Sequence, residues 1–368
     1  MRLALFLCWL FVSLCTQAQE RLEQPLAFVA ADSTVIWGGG KCDFRGTALA
    51  ADAALVSRAI QLPPDAARQF KKDVRNWEEE ILPKLNLVGG LGDVAREAQA
   101  EGAAQVVNAA APLLLQTADA QYADAIERAV FNALCASASA SGPMSFEKHL
   151  AAQTLMDAAG TFYATDAEGV YVNLYLNTST HIVTPDFDFV LDQMTAMPFD
   201  GMVKLRLTGL GPGRHRLKMR FRMPSWAAHR AYPAGSYVLG DGETPLPTVY
   251  VNGREPLQQD FVNGYVVVDR EWVTGDEVFF VLPVQPVWAV SSGKKAACVG
   301  PLAYALSGHS AESSVPEQGQ LVVGAAVNGQ GNAFLEVQSQ AADSSAVALE
   351  PYMDAPGPVW LTVEKEKE

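Results

Sequence analysis

The sequence predicts an α+β multidomain protein: a partial α-helical, α/α-toroid-like N-terminal region followed by antiparallel β-sandwich domains. Three observations predict it. From about residue 50 to 160 the chain is alanine-rich and its apolar residues recur with a helical period. Within SFEKHLAAQTLMDAAGTFYATDAEGVYVNLYL (145–176) the period changes to two, at Ala159-Gly160. Beyond that join, short alternating runs follow at close intervals, with Gly, Pro and Asn at the breaks.

Taken in order, the first residues, MRLALFLCWLFVSLCTQAQE, carry one cation, Arg2, then an apolar run from Leu3 to Cys15 and the small-residue site Thr16-Gln17-Ala18. This is the pattern of a secretory signal peptide, so residues 1–18 are set apart and the chain is expected to be exported, periplasmic or extracellular, after cleavage near Ala18. No later apolar run approaches the roughly 18 residues of a spanning helix. Residues 19–49 form an N-terminal extended segment with a strand at Ser33–Trp37 ended by three glycines. Residues 50–162 form a truncated helical domain, with breaks at Pro63-Pro64, Gly89-Gly90 and Ser137–Pro143. In QYADAIERAVFNALC (121–135), Tyr122, Ile126, Ala129, Val130, Ala133 and Leu134 make one stripe, and Glu127 and Arg128 fall off it. Weaker stripes cover 94–115 and 146–158. About four helices are too few for a complete barrel; a barrel remnant and a small packed bundle both fit. Residues 163–290 read as a β-sandwich domain, in which Val251-Asn252-Gly253 marks a tight turn. Residues 291–368 read as a C-terminal β domain, with strands at 321–327, 333–338, 346–349 and 358–363 before a solvated EKEKE tail.

Without the leader, the chain carries 26 cations against 41 carboxylates. A net charge near −15 excludes nucleic acid and an anionic membrane surface as partners. Cys42, Cys135 and Cys298 are odd in number and far apart, so at most one disulfide forms and no metal or cofactor motif is visible. The five histidines (His149, His181, His215, His229, His309) are equally scattered, and no cofactor is expected.

FYATDAEGVYVNLYL, MPFDGMVKLRL, RLKMRFRMPSWA, YVNGREP, GYVVVDREWVTGDEVFFVLPVQP, GPLAYAL and LEPYMDAPGPVWLTV follow one another in an order that resembles the C-terminal β-sandwich domains of glycoside hydrolase family 127, the β-L-arabinofuranosidases. QYADAIERAVFNAL is similar to the helix that ends that family's catalytic helical barrel, so the resemblance covers roughly residues 95–368. It implies a zinc-bound cysteine nucleophile assisted by glutamates. The family's vicinal cysteine pair would fall on Phe146-Glu147, and its other thiolate near Glu101 within REAQAEGAAQ. No cysteine stands at either place, so no functional residue of the family carries over.

Other groups offer candidate chemistry. Asp186, Asp188 and Asp192 in TPDFDFVLDQ, with Asp200 nearby, read as an aspartate-rich turn that satisfies its own amides. Glu78, Glu79, Glu80, Glu97 and Glu101 read as solvated helix faces, and Glu147 lacks an identifiable partner. Cys135 reads as a small buried thiol. GGLGDVA and GLGPGRH lack the strand–turn–helix context of a phosphate loop and read as turns. The most informative feature is cationic: Arg214, Arg216, Lys218, Arg220 and Arg222 alternate along one strand, and Lys204 and Arg206 along another. If the two strands pair, one sheet face becomes a ladder of cations. Neighbouring carboxylates (Asp269, Glu271, Asp276, Glu277) or the docked acidic helical domain would compensate it, or it would form a groove for an acidic polysaccharide. Trp226, Trp272, Trp288 and Trp360 offer stacking faces or core packing. The expectation is an exported, non-catalytic relative of the family that binds or presents a plant-type glycan. A hydrolase using a rearranged carboxylate pair, and a structural subunit completing its barrel with a partner chain or a second copy, are the alternatives.

Overall fold

The computed structural model describes residues 24–29, 34–39, 49–50, 54–55 and, apart from short interior stretches, 64–364, with side chains mainly from residue 68 onward. The leader, Cys42, Glu97 and the 365–368 tail lie outside the described residues. A layer of helices packs on a β-sandwich, and a third, nine-stranded sheet follows.

The helices are Pro64–Asn76, Gln99–Thr117, Ala120–Arg128, Cys135–Ser139 and Phe146–Ala159. Pro64 opens the first of them, where a missing N–H costs nothing. Asp119 caps the third by accepting from the Gln121 amide at 3.0 Å, and Ser145 caps the last by accepting from the Lys148 amide at 3.3 Å. The expected break at Ser137 falls later, because Cys135–Ser139 is still helical. Between Arg128 and Cys135 the ladder slips into a π-helical turn, Ala129–Leu134, of which the hydrophobic period gives no sign.

The join is where the sequence puts it. Gly160 ends the last helix, and the chain enters the strand Tyr163–Asp166 and its hairpin partner Gly169–Val172. Asn173 staples this corner: its amide N–H donates to the Phe162 carbonyl and its side chain to the Thr161 carbonyl, both at 2.8 Å.

Two six-stranded sheets make the sandwich. One runs Asp260–Val262, Tyr265–Trp272, His215–Arg222, Gly169–Val172, Tyr163–Asp166, Ala54–Leu55. The other runs Tyr250–Val251, Glu277–Val281, Met202–Thr208, Asp188–Thr195, Thr178–Val183, Leu49–Ala50. Leu217, Met219 and Phe221 meet Leu205, Leu207 and Phe280 in the buried core, with Phe221 and Phe280 ring centroids 5.9 Å apart. The sandwich is not wholly antiparallel. His215–Arg222 lies parallel to Gly169–Val172, and the short edge strands Leu49–Ala50 and Ala54–Leu55 also pair in parallel. Such pairs join segments that long connections separate in sequence, so hairpin signals cannot reveal them. Asn252 and Gly253 both take positive φ (51° and 72°), the turn their sequence predicts.

The third sheet contains Lys294–Val299, Leu302–Leu306, Gln320–Val327, Ala333–Gln340 and Ala346–Pro351, and Leu361–Glu364 pairs onto it. It also takes Pro286–Ser291 and Val238–Leu239, so the second β unit begins before residue 291 and borrows a strand from inside the sandwich segment.

Candidate functional site at the helix–sandwich junction

The cationic ladder is real on one strand, but its two halves do not meet. Met202–Thr208 sits in the second sheet, between Asp188–Thr195 and Glu277–Val281, while His215–Arg222 sits in the first. A shared ladder of Lys204 and Arg206 with the 214–222 cations is therefore corrected: two strands of similar pattern were assigned by the sandwich to opposite sheets. Along the arginine strand the outward cations find carboxylates. Arg214 pairs with Glu271 (3.2 Å), Arg216 with Asp269 (3.1 Å) and Lys218 with Glu168 (2.6 Å). Arg220 bonds Asp166 (3.3 Å) and Glu168 (3.0 Å) while covering the Tyr171 ring at 4.3 Å. On the other sheet Lys204 pairs with Glu277 (3.0 Å), and Arg206 stands opposite Glu277 and Asp192 in register. Side-chain exposure falls from 69% at Arg216 to 31% at Lys218, 8% at Arg220 and 0% at Arg222. The strand dives beneath the helical layer, and its last arginine is wholly enclosed.

Arg222 is the centre of the junction. Its Nη1 donates to Asp124 Oδ1 at 2.5 Å, its Nη2 to Glu127 Oε1, and its Nε to the Asn173 carbonyl. The Ser225 amide donates to the same Asp124 oxygen (3.2 Å), and Trp226 Nε1 donates to Glu127 Oε2 (2.8 Å). Tyr265 Oη donates to Asn173 Oδ1 (2.8 Å), so the corner residue of the join and the buried ion cluster form one network. Glu127 and Arg128 lie off the apolar stripe of their helix. Both are buried, because the sandwich covers the face that the helical wheel assigns to water. Burial pushes the Asp124 carboxyl up to about 6, with the Arg222 guanidinium pulling the other way. Burial also works against the Arg222 charge, but Glu127 and Asp124 outweigh it and hold the guanidinium above its ordinary value.

Arg128 belongs to a second contact. Its Nη1 donates to the Leu87 carbonyl (3.2 Å), and its guanidinium lies 5.7 Å from the Tyr237 ring centre. Leu87 is in the loop NLVGGLGD, which folds on its own asparagine: Asn86 Oδ1 accepts from the Val88 and Gly90 amides at 3.1 and 3.0 Å. The loop docks on the π-helical turn, where the Ala133 amide donates to the Val88 carbonyl at 3.2 Å. A Cβ on Gly89 (φ 79°) would stand 2.2 Å from the Ala129 amide nitrogen, a backbone atom that cannot move aside. Gly89→Ala is therefore expected to cost about 2 kcal/mol or more. Gly92→Ala, where φ is 74° but the space is open, should cost about 1 kcal/mol. Thermal melts of the two variants check the difference; equal losses would contradict the docking argument.

Between this loop and the third sheet lies a cleft of about 180 Å³, lined among others by Asn86, Asp93, Ser236, Tyr237, Ser291 and Trp360. The Tyr237 and Trp360 rings meet edge-on, centroids 6.4 Å apart. The other tryptophans are structural: Trp226 serves Glu127, Trp272 is buried and donates to the Leu217 carbonyl (3.0 Å), and Trp288 stacks beneath Lys295 at 5.6 Å.

The remaining candidates separate cleanly. Asp188 pairs with His181 (2.8 Å) and Asp192 accepts from Ser179 Oγ (2.6 Å), both on strands. The turn beside them is held by the Thr184 hydroxyl, which accepts from the Asp186 and Phe187 amides, so the aspartates do not satisfy it. Asp200 does accept from the Met202 amide, at 2.7 Å. Glu79 and Glu80 pair with Arg75 and Lys84 on an exposed face. Cys135 and Cys298 are both buried, and burial lifts the Cys298 thiol to about 11, although Arg128 acts in the other direction. Glu147 does have a neighbour: burial first and the Glu101 charge second raise its carboxyl above the usual range. The zinc that the resemblance implies does not fit. The resemblance puts its thiolates at Phe146-Glu147 and near Glu101, where no cysteine stands, and among the described residues no three His, Cys, Asp or Glu side chains converge as ligands.

Residues 169–284 match the family model described as Beta-L-arabinofuranosidase, GH127 middle domain. No curated protein matches the chain. Among solved structures, a GH127 β-arabinofuranosidase superposes with a TM-score of 0.69 at 21% identity, over 82% of this chain and 57% of its own. A GH127 β-L-arabinofuranosidase from Geobacillus stearothermophilus T6 gives 0.60 at 18% identity, over 82% and 58%. A further glycoside hydrolase gives 0.55 at 19% identity, over 72% and 52%. The chain thus spans little more than half the length of the structures it matches.

Proposed function

We propose, from the match of residues 169–284 to the GH127 middle-domain model and from the fold shared with GH127 β-L-arabinofuranosidases, that the chain is an exported, non-catalytic relative that binds a plant-type glycan. One observation carries the reading: no cysteine stands at Phe146-Glu147 or near Glu101, where the resemblance puts the family's thiolates, so no sulfur nucleophile is supplied there. The described thiols give no substitute, since Cys135 and Cys298 are enclosed in the core. Ion pairing along the arginine strand favours a neutral glycan over an acidic one, because those guanidinium forks already hold carboxylates. The purified chain should leave β-L-arabinofuranosides intact while retaining neutral arabinan fragments on a glycan array.

A second reading has its own observation. Glu147 is half-buried, and burial first and the Glu101 charge second raise its carboxyl, the direction of shift that a general acid needs. Hydrolysis that disappears in Glu147→Gln would replace the first reading with this one. No hydrolysis in either protein supports the first.

A further inference from the structure

We infer that the cleft between the NLVGGLGD loop and the third sheet is a binding site for one neutral sugar ring, with Trp360 and Tyr237 as its apolar wall and Asp93, Ser236 and Ser291 as its polar contacts. The inference rests on the glycan-binding reading above and gives it a place and a ligand class.

Several groups around the cleft are already committed. Tyr237 spends its hydroxyl on Tyr232, donating to the carbonyl (3.0 Å) and accepting from the amide (3.1 Å), so only its ring faces the cleft. Arg128 braces that ring from the protein side. Asn86 is consumed by its own loop. By contrast, the Asp93 carboxylate, the Ser236 and Ser291 hydroxyls and the Trp360 indole N–H make no hydrogen bond to any of the described residues. Two aromatic rings and four polar groups uncommitted among the described residues converge on one hollow. A sugar ring offers that combination in reverse, with C–H faces for the rings and hydroxyls that donate and accept around the rim.

Size and charge narrow the ligand. About 180 Å³ is well below the roughly 300 Å³ at which drug-sized pockets begin, so one ring enters and the rest of a glycan stays outside. Among the described residues lining the cleft the one charged group is a carboxylate, Asp93, which accepts from neutral hydroxyls and repels a uronate. The elements around the hollow are fixed: Gly89 is seated on the π-helical turn, and Ser291 and Trp360 belong to or border paired strands. The site is thus preformed, which keeps the ordering cost of binding low.

The test uses the full chain, titrated calorimetrically with neutral arabino-oligosaccharides and with oligogalacturonate. The wild-type protein should bind the neutral ligand and not the acidic one. Trp360→Ala and Asp93→Asn should each weaken binding by about tenfold. Ser236→Trp, placed at an exposed position on the rim, should abolish binding without lowering the melting temperature. Neutral binding that survives Ser236→Trp unchanged would move the site elsewhere and leave the glycan-binding reading standing. No binding to either ligand would remove both, and preference for oligogalacturonate would overturn the assignment of a neutral ring.

Discussion

Arg222→Met is expected to destabilise the protein by about 3–5 kcal/mol at neutral pH, the usual cost of removing one partner from a buried ion cluster. The arginine is fully enclosed, and its guanidinium holds two carboxylates from one helix and the carbonyl of Asn173 from the join. Methionine fills similar space but leaves Asp124 and Glu127 without the guanidinium that is bonded to both of them. Asp124, already pushed up to about 6, offsets part of that loss by taking a proton. The loss should therefore be larger at pH 8 than at pH 5. Arg222→Lys keeps the charge but reaches with a single ammonium where a planar fork bridged three acceptors, so it should fall between wild type and methionine. Because the cluster ties the helical layer to the sandwich, limited proteolysis of the methionine variant should open the helices first, with the sandwich core more resistant. Calorimetric melting at the two pH values measures the effect. A variant that melts with the wild type at pH 8 would show that the cluster adds nothing to cohesion.

Local chemistry was legible in the sequence, and enclosure was not. The handover at Gly160, the positive-φ pair Asn252-Gly253 and the strands beyond residue 320 could all be read from period and turn residues, which act within a few positions. The apolar stripe does not say what covers Glu127 and Arg128, since a helical wheel by itself supposes water on the opposite face. Here that face meets the sandwich, and the two side chains are satisfied inside it. A signal existed on the other partner: Arg222 ends a strand whose inward neighbours are apolar and precedes Met223-Pro224-Ser225-Trp226, where solvent exposure ceases. The π-helical turn had no signal at all, since a docked loop nearly 40 residues upstream shapes its surroundings. The cleft was half legible. Trp360 could be singled out as a stacking face, but Asp93 and Ser236 come from segments more than 100 residues apart that only the tertiary fold brings together.

The two acidic partners of Arg222 are expected to respond oppositely to neutralisation, and the reason lies in which oxygens are used. Asp124 accepts from both Arg222 and the Ser225 amide through Oδ1, and its Oδ2 has no hydrogen bond among the described residues. Asparagine can keep that oxygen in place and put its amide where nothing is lost. Glu127 accepts through both oxygens, from Arg222 and from Trp226. Glutamine must turn an N–H against a buried donor whichever way it flips, so Glu127→Gln should cost about 2–4 kcal/mol, while Asp124→Asn stays within about 1 kcal/mol of wild type near pH 5. The pH dependence follows from the sign of the Asp124 shift. Its folded value, about 6, lies above the ordinary aspartate value of 3.8, so the native state holds this proton more tightly than the unfolded chain does. Stability from this group is fully present below the unfolded value and is lost as pH rises through about 6. Asparagine cannot ionise, so the Asp124→Asn variant should gain on wild type between pH 5 and pH 7, at up to about 1.4 kcal/mol for each unit of separation. Urea unfolding of both proteins across that range checks it. Parallel curves would place the titration elsewhere, and a larger loss in Asp124→Asn than in Glu127→Gln would refute the assignment of acceptors.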